Sequence, residues 1–136
     1  MMLRDETGSL LPLVIGYGAL TAVLMVTTID LASLSLAQRG LDVVAEAAAL
    51  AAADSFTLTV TDGVPRAVLS PSGVSHGAAA LIAETPGEAA LVESSTPDGA
   101  SAVVTVETSW HPPLFSSVVP AGVTLRSTAI ARTAVG

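Results

Sequence analysis

The sequence predicts an α+β chain: one long N-terminal transmembrane helix packed on a small, mostly antiparallel sheet with one short helix. Three observations lead there. Residues 7–29 carry no charge and are rich in Leu, Val, Ile, Ala and Thr. Residues 45–53 are alanine except for Glu46 and Leu50, as strong a helix-forming run as occurs. After Asp54 the pattern changes to period two with many β-branched residues, which marks strands.

Composition narrows the function classes. Hydrophobic residues make up 51% and charged residues 12%, half the usual charged share of about 25%, so membrane contact is expected. There is no cysteine, which excludes a disulfide framework, a thiolate nucleophile and cysteine-ligated metal. All five basic residues are arginines, so Schiff-base chemistry and a P-loop lysine are excluded too. Twelve acidic residues give a net charge of −7. That surface repels phosphate backbones, and one Trp, one Tyr and two Phe are too few for base stacking, so nucleic acid is not an expected partner.

Three segments follow along the chain: a cytoplasmic leader-like stretch (residues 1–8), the long helix (9–54) and a small extracytoplasmic α+β domain (55–136). Residues 10–29, as a helix, rise about 30 Å, the thickness of a bilayer's hydrocarbon core. Ser9 suits an N-cap and Pro12 a first helical turn. Arg4 and the N-terminal amine lie on one side of the span and Arg39 ten residues beyond the other, which favours a single pass with the N-terminus inside the cytoplasmic membrane. Small residues at Ser35 and Ala37 offer an alternative, signal cleavage before Gln38 that frees a secreted domain.

Beyond Asp30 the helical pattern continues, for roughly 46 residues and about 70 Å in all at 1.5 Å per residue. At 100° per residue, Ser35, Gln38, Arg39, Asp42 and Glu46 share one face. Leu34, Ala37, Leu41, Val44, Ala48 and Ala52 share the opposite one, a docking face for a partner helix or for the chain's own sheet. Gly40 is the weakest helical point and a candidate bend. Residues 56–61 read as a strand ended by Asp62-Gly63, with 66–69 as partner; Pro71-Ser72-Gly73 reads as a turn before a helix over 75–84. Residues 90–93 and 102–108 flank a Pro97-Asp98-Gly99 hairpin turn, and after a loop the last strand covers 123–132. Eighty-odd residues are near the lower limit for an independent core, so the sheet needs the helix.

One stretch carries a resemblance. Gly8-Ser9, Pro12, the apolar span, Asp30, Gln38-Arg39, Leu41-Asp42 and the alanine run from Ala45 to Ala53 resemble the N-terminal region of TadE/TadG-like proteins of the tight-adherence (Flp) pilus machinery, above all the short TadE-like, secretion-associated type. The alternating small residues from Ser127 to Arg132 are similar to the strand that closes such domains. The resemblance implies a minor-pilin-like or accessory subunit of an envelope pilus or secretion apparatus, held in the inner membrane, with other pilin-like subunits as partners and a place in the pilus itself left open. It also implies a leader cleavage point at Gly8 and Ser9. Type IV-like pilins carry Glu at the fifth position after the cleavage glycine; Leu13 stands there in this chain, so processed and permanently anchored forms both stay open.

Other motifs are weaker. Gly73-Val74-Ser75-His76-Gly77 matches the G-x-S-x-G nucleophile elbow, with Asp98 and His111 following in order. A turn stands where that elbow needs a buried strand, and Ser75 as a helix N-cap explains the same letters. His76 and His111 have no ligand-like spacing. Asp30 ends the span as an interfacial carboxylate on the helix surface or the mate of a partner's arginine. Trp110, Pro112, Pro113 and Phe115 form either a plug for the sheet's core or a contact loop. The expectation is a non-enzymatic protein without cofactor, metal or small-molecule substrate. The alternative is a solitary membrane-anchored extracytoplasmic binding domain that uses the Trp110–Phe115 loop.

Overall fold

The computed structural model describes the backbone of residues 2–133 and the side chains of residues 10–133. The chain opens with α1 (Met2–Ala53), one helix of 52 residues and about 80 Å at 1.5 Å per residue. It begins ahead of Ser9, so Ser9 is not its N-cap. Pro12 consequently lies inside the helix, where it leaves one backbone hydrogen bond unmade instead of occupying a first turn that would tolerate it. The helix passes through Gly40 without a break.

Between residues 10 and 29 every side chain is exposed except the half-buried Val26. The hydroxyls of Thr21, Thr27 and Thr28 donate to the carbonyls of Tyr17, Val23 and Leu24 at 2.8, 2.8 and 2.7 Å. These polar side chains are therefore satisfied within the helix, as an apolar surrounding demands. From Asp30 onward the character changes. Asp30, Leu41, Ala45, Ala48, Ala49, Ala52 and Ala53 are buried on one side of α1, and the small size of the alanines lets other elements approach the helix backbone closely.

Those elements follow in order. β1 (Thr57–Thr61) and β2 (Val64–Val68) pair antiparallel across Asp62-Gly63, whose φ values of 54° and 78° suit a two-residue type I′ turn. This hairpin is a separate sheet, exposed on both faces except at the half-buried Ala67. β2 begins at Val64, earlier than the sequence suggested, because the tight turn starts pairing at once. α2 (Pro71–Glu84) begins on Ser70, whose Oγ accepts the Gly73 N–H at 3.0 Å, with Pro71 in the first helical position. The expected turn at 71–73 is thus the first turn of α2, and Ser75 lies inside the helix rather than capping it. At Gly77 α2 passes close against α1: a Cβ there would sit 2.9 Å from the Ala51 carbonyl oxygen.

β3 (Ala90–Ser95), β4 (Ser101–Trp110) and β5 (Val123–Arg132) form an antiparallel sheet in the order β3-β4-β5. The bounds of β5 are those the alternation predicts. A register shift between Leu91 and Glu93 interrupts the β3–β4 ladder, whereas β4 and β5 pair without interruption from Ser101↔Arg132 to Trp110↔Val123. Ala102, Val104 and Val106, alternate residues of β4, are completely buried and join the α1 alanines with Leu69, Val74, Ala78 and Leu125 in one core. The helix therefore supplies half of the domain's interior. At about 25 cal/mol per Å² of apolar surface removed from water, a sheet this small could not replace it.

Candidate functional site

The polar contacts between α1 and the rest of the chain fall at two heights on the helix. At the lower, the Leu114 N–H donates to Asp30 Oδ1 at 3.1 Å and the Trp110 indole N–H to Ser33 Oγ at 3.1 Å. Higher up, Ser127 Oγ donates to Asp42 Oδ1 at 2.6 Å, Gln38 Nε2 to the same oxygen at 3.0 Å, and Gln38 Nε2 also reaches the Arg126 carbonyl at 3.3 Å. The Ser127 hydroxyl first, and then the Gln38 amide, hold the Asp42 carboxyl below the ordinary carboxylate range. Just beyond, Arg126 pairs with Glu107 across the sheet at 2.9 Å, an exposed pair of small energetic weight.

Asp30 is therefore neither a free helix-surface carboxylate nor open to a partner's arginine. It is 6% exposed, turned toward the chain's own loop, and its Oδ2 is buried without a hydrogen-bond partner. A free surface position was the wrong expectation because Asp30 lies only about 20° from Leu41 around a 3.6-residue helix, on the face that the core covers. That angle was available in the sequence. Ser33, Ser127 and Leu114 had no such signal, since each finds its partner 77 to 85 positions away.

The predicted docking face is placed with equal clarity. Leu41 and Ala48 are buried in the core, and Leu34 and Ala37 pack against it half-buried; Val44 is half-buried as well. The chain's own β4, β5 and α2 cover α1 on this side, so a partner helix has no access to Leu41 or Ala48. What remains exposed is the reverse of the helix, where Leu36, Val43 and Leu50 recur every seventh residue.

The 111–122 loop combines both sequence expectations. Trp110 packs partly buried on the core and Pro112 is buried, so these act as the plug. Pro113 and Phe115 are exposed together with Leu114, and the exposed apolar surface extends beyond the expected loop to Val118. Gly8 and Ser9 lie within α1, and their side chains are outside the described residues.

The hydrolase motif does not assemble. Ser75 and His76 sit exposed in the middle of α2. Asp98 instead closes the β3–β4 turn, its Oδ1 accepting the N–H groups of Ala100 at 2.9 Å and Ser101 at 2.7 Å. Those two bonds, Ala100 first, lower its pKa below the usual carboxylate value. Asp98 and His111 flank opposite ends of β4, whose ten residues separate them by about 30 Å at 3.3 Å per residue. Among the described residues no three His, Asp or Glu side chains gather as metal ligands would.

Comparison with protein-family models, with curated proteins and with solved structures finds no match to this chain. One property is plain from its architecture: it has one N-terminal helix long and apolar enough to cross a membrane.

Proposed function

We propose that the protein is a non-enzymatic, single-pass envelope subunit, minor-pilin-like or accessory to a Tad/Flp-type pilus or secretion apparatus, with its N-terminus inside and its small domain outside the cytoplasmic membrane. The observation that supports this most is the continuity of α1. From residue 10 to residue 29 its side chains are exposed around the helix except at the half-buried Val26, and its second half, without a linker, is the inner wall of the domain. A rod of this kind holds the domain at a fixed height above the bilayer and leaves one long lateral face for neighbours.

The side facing the core is already used, so lateral docking falls to the outer stripe of Leu36, Val43 and Leu50, 70%, 64% and 59% exposed. The seven-residue spacing suits packing against another helix. The test is recovery of pilus- or secretion-apparatus subunits with the full chain purified from membranes, compared with a Leu36→Gln, Val43→Gln, Leu50→Gln variant. These surface changes leave the fold intact, as circular dichroism checks. The wild type should bring down those subunits and the variant should lose them. Absence of such subunits from the wild type, or equal recovery by both, overturns the reading.

A further inference from the structure

The 111–122 loop sits at the lowest level of the domain. Read up α1, the hydrogen-bonded partners are Leu114 at Asp30, Trp110 at Ser33, Arg126 at Gln38 and Ser127 at Asp42. β5 therefore climbs alongside the helix, and the loop that joins it to β4 lies beside Asp30, the first charged residue after the apolar span. If the 20 residues below Asp30 fill the hydrocarbon core, the loop is level with the border between acyl chains and headgroups.

Its chemistry suits that level. From Thr108 to Leu125 there is no Asp, Glu, Lys or Arg. Leu114, Phe115 and Val118 are 49%, 37% and 73% exposed. The loop backbone is bonded internally: Val118 N–H and Val119 N–H both reach the Phe115 carbonyl at 3.0 Å, and Gly122 N–H reaches Val119 at 3.1 Å. Closing these groups inside the loop lowers the cost of bringing it out of water. Trp110 stands just above, where indoles favour the interface.

We infer that this loop is a second membrane contact, with Leu114, Phe115 and Val118 entering the outer-leaflet interface beside the chain's own span. The inference rests on the anchored reading proposed above. The occupant is lipid because the patch is apolar and lies at the height of the span's end, beside Asp30. Since the chain is acidic at −7, the attraction is apolar and does not depend on anionic lipid. Two contacts, one helix and one loop, would fix the tilt and rotation of the domain over the membrane.

The chain has no cysteine, so single cysteines at Phe115 and Val118 can carry an environment-sensitive fluorophore in full-length protein reconstituted into phosphatidylcholine vesicles. Val23→Cys reports on the span, and Val60→Cys, 73% exposed on the β1–β2 hairpin, reports on water. Labels at 115 and 118 should emit to the blue of the label at 60. A shallow nitroxide lipid should quench them several-fold more than it quenches 60, and aqueous iodide several-fold less. If 23 lies in lipid while 115 and 118 behave like 60, the loop contact is overturned and the span stands. Shielding of 115 and 118 from both quenchers means a protein partner or a second copy, and also overturns it. A water-exposed label at 23 removes the span and the loop contact together.

Discussion

The Leu114 N–H donates to Asp30 Oδ1 at 3.1 Å, joining two residues 84 positions apart where the apolar span ends and the domain begins. With Trp110 on Ser33 one helical turn higher, it fastens the β4–β5 loop to α1. The domain is thereby tied to the helix at the end of its hairpin nearest the apolar span, as well as through the shared core.

Asp30→Ala removes the acceptor and leaves the Leu114 N–H unpaired, at a cost of about 1–3 kcal/mol. Asp30→Asn keeps a carbonyl acceptor and should retain most of the stability. Trp110 is the only tryptophan, so its emission reports the junction: a red shift is expected for Ala and little change for Asn. Equal spectra for wild type and Ala would count against the fastening role.

The inner and outer faces of α1 should respond oppositely to size. Ala48 is completely buried, and Ala48→Leu should overpack the helix–sheet contact and cost about 1–3 kcal/mol. Val104→Ala opens a cavity in the same core and should cost about 2 kcal/mol. Leu50, 59% exposed, should change stability by no more than about 0.5 kcal/mol when replaced by Ala in the isolated chain. Urea unfolding followed by near-ultraviolet circular dichroism measures all three.

Two helical glycines make a sharper contrast. Gly40 has nothing within 4 Å of an added Cβ, so Gly40→Ala should stabilise by about 0.5–1 kcal/mol through helix propensity alone. Gly77→Ala gains the same propensity but places its Cβ 2.9 Å from backbone, the Ala51 oxygen. Neither helix can yield there without disturbing the core, and a net loss is expected. Melting temperatures should therefore move in opposite directions.

Asp42 and Asp98 both have lowered pKa values in the folded chain. The unfolded chain then binds more protons over the interval between the folded values and the ordinary 3.8. Their stabilisation is complete above the unfolded value and is lost as pH falls through the folded ones. The melting temperature should decline as pH drops from about 5 to 2. Asp42→Asn and Asp98→Asn should each flatten that decline, and an unchanged slope in both would contradict the assignment.

Much of this architecture is legible from residue pattern. The uncharged span and the alanine run give one helix, and the alternation over 123–132 gives β5 with its bounds. The start of α2 was obscured because Ser70-Pro71 and Ser75 both look like helix openings, and only the former has a capping geometry. The pattern over 56–61 marks a strand, yet β1 is exposed throughout; pattern reports what a strand could bury, not whether a cover exists. The docking face shows the same limit. A stripe of Leu41, Val44 and Ala48 looks alike whether its mate is another molecule or the chain's own sheet, and the seventy-odd residues between Ser33 and Trp110 conceal which it is.

The most direct test of the anchored reading is the intact mass of the chain recovered from membranes after an alkaline wash. A mass that retains residues 10–29, starting at Met1 or at Ser9, is predicted, with the protein in the membrane pellet. A soluble chain beginning at Gln38 would have lost Asp30 and Ser33, and with them both lower contacts to the loop. That result would contradict the continuous helix as the organising element of this protein.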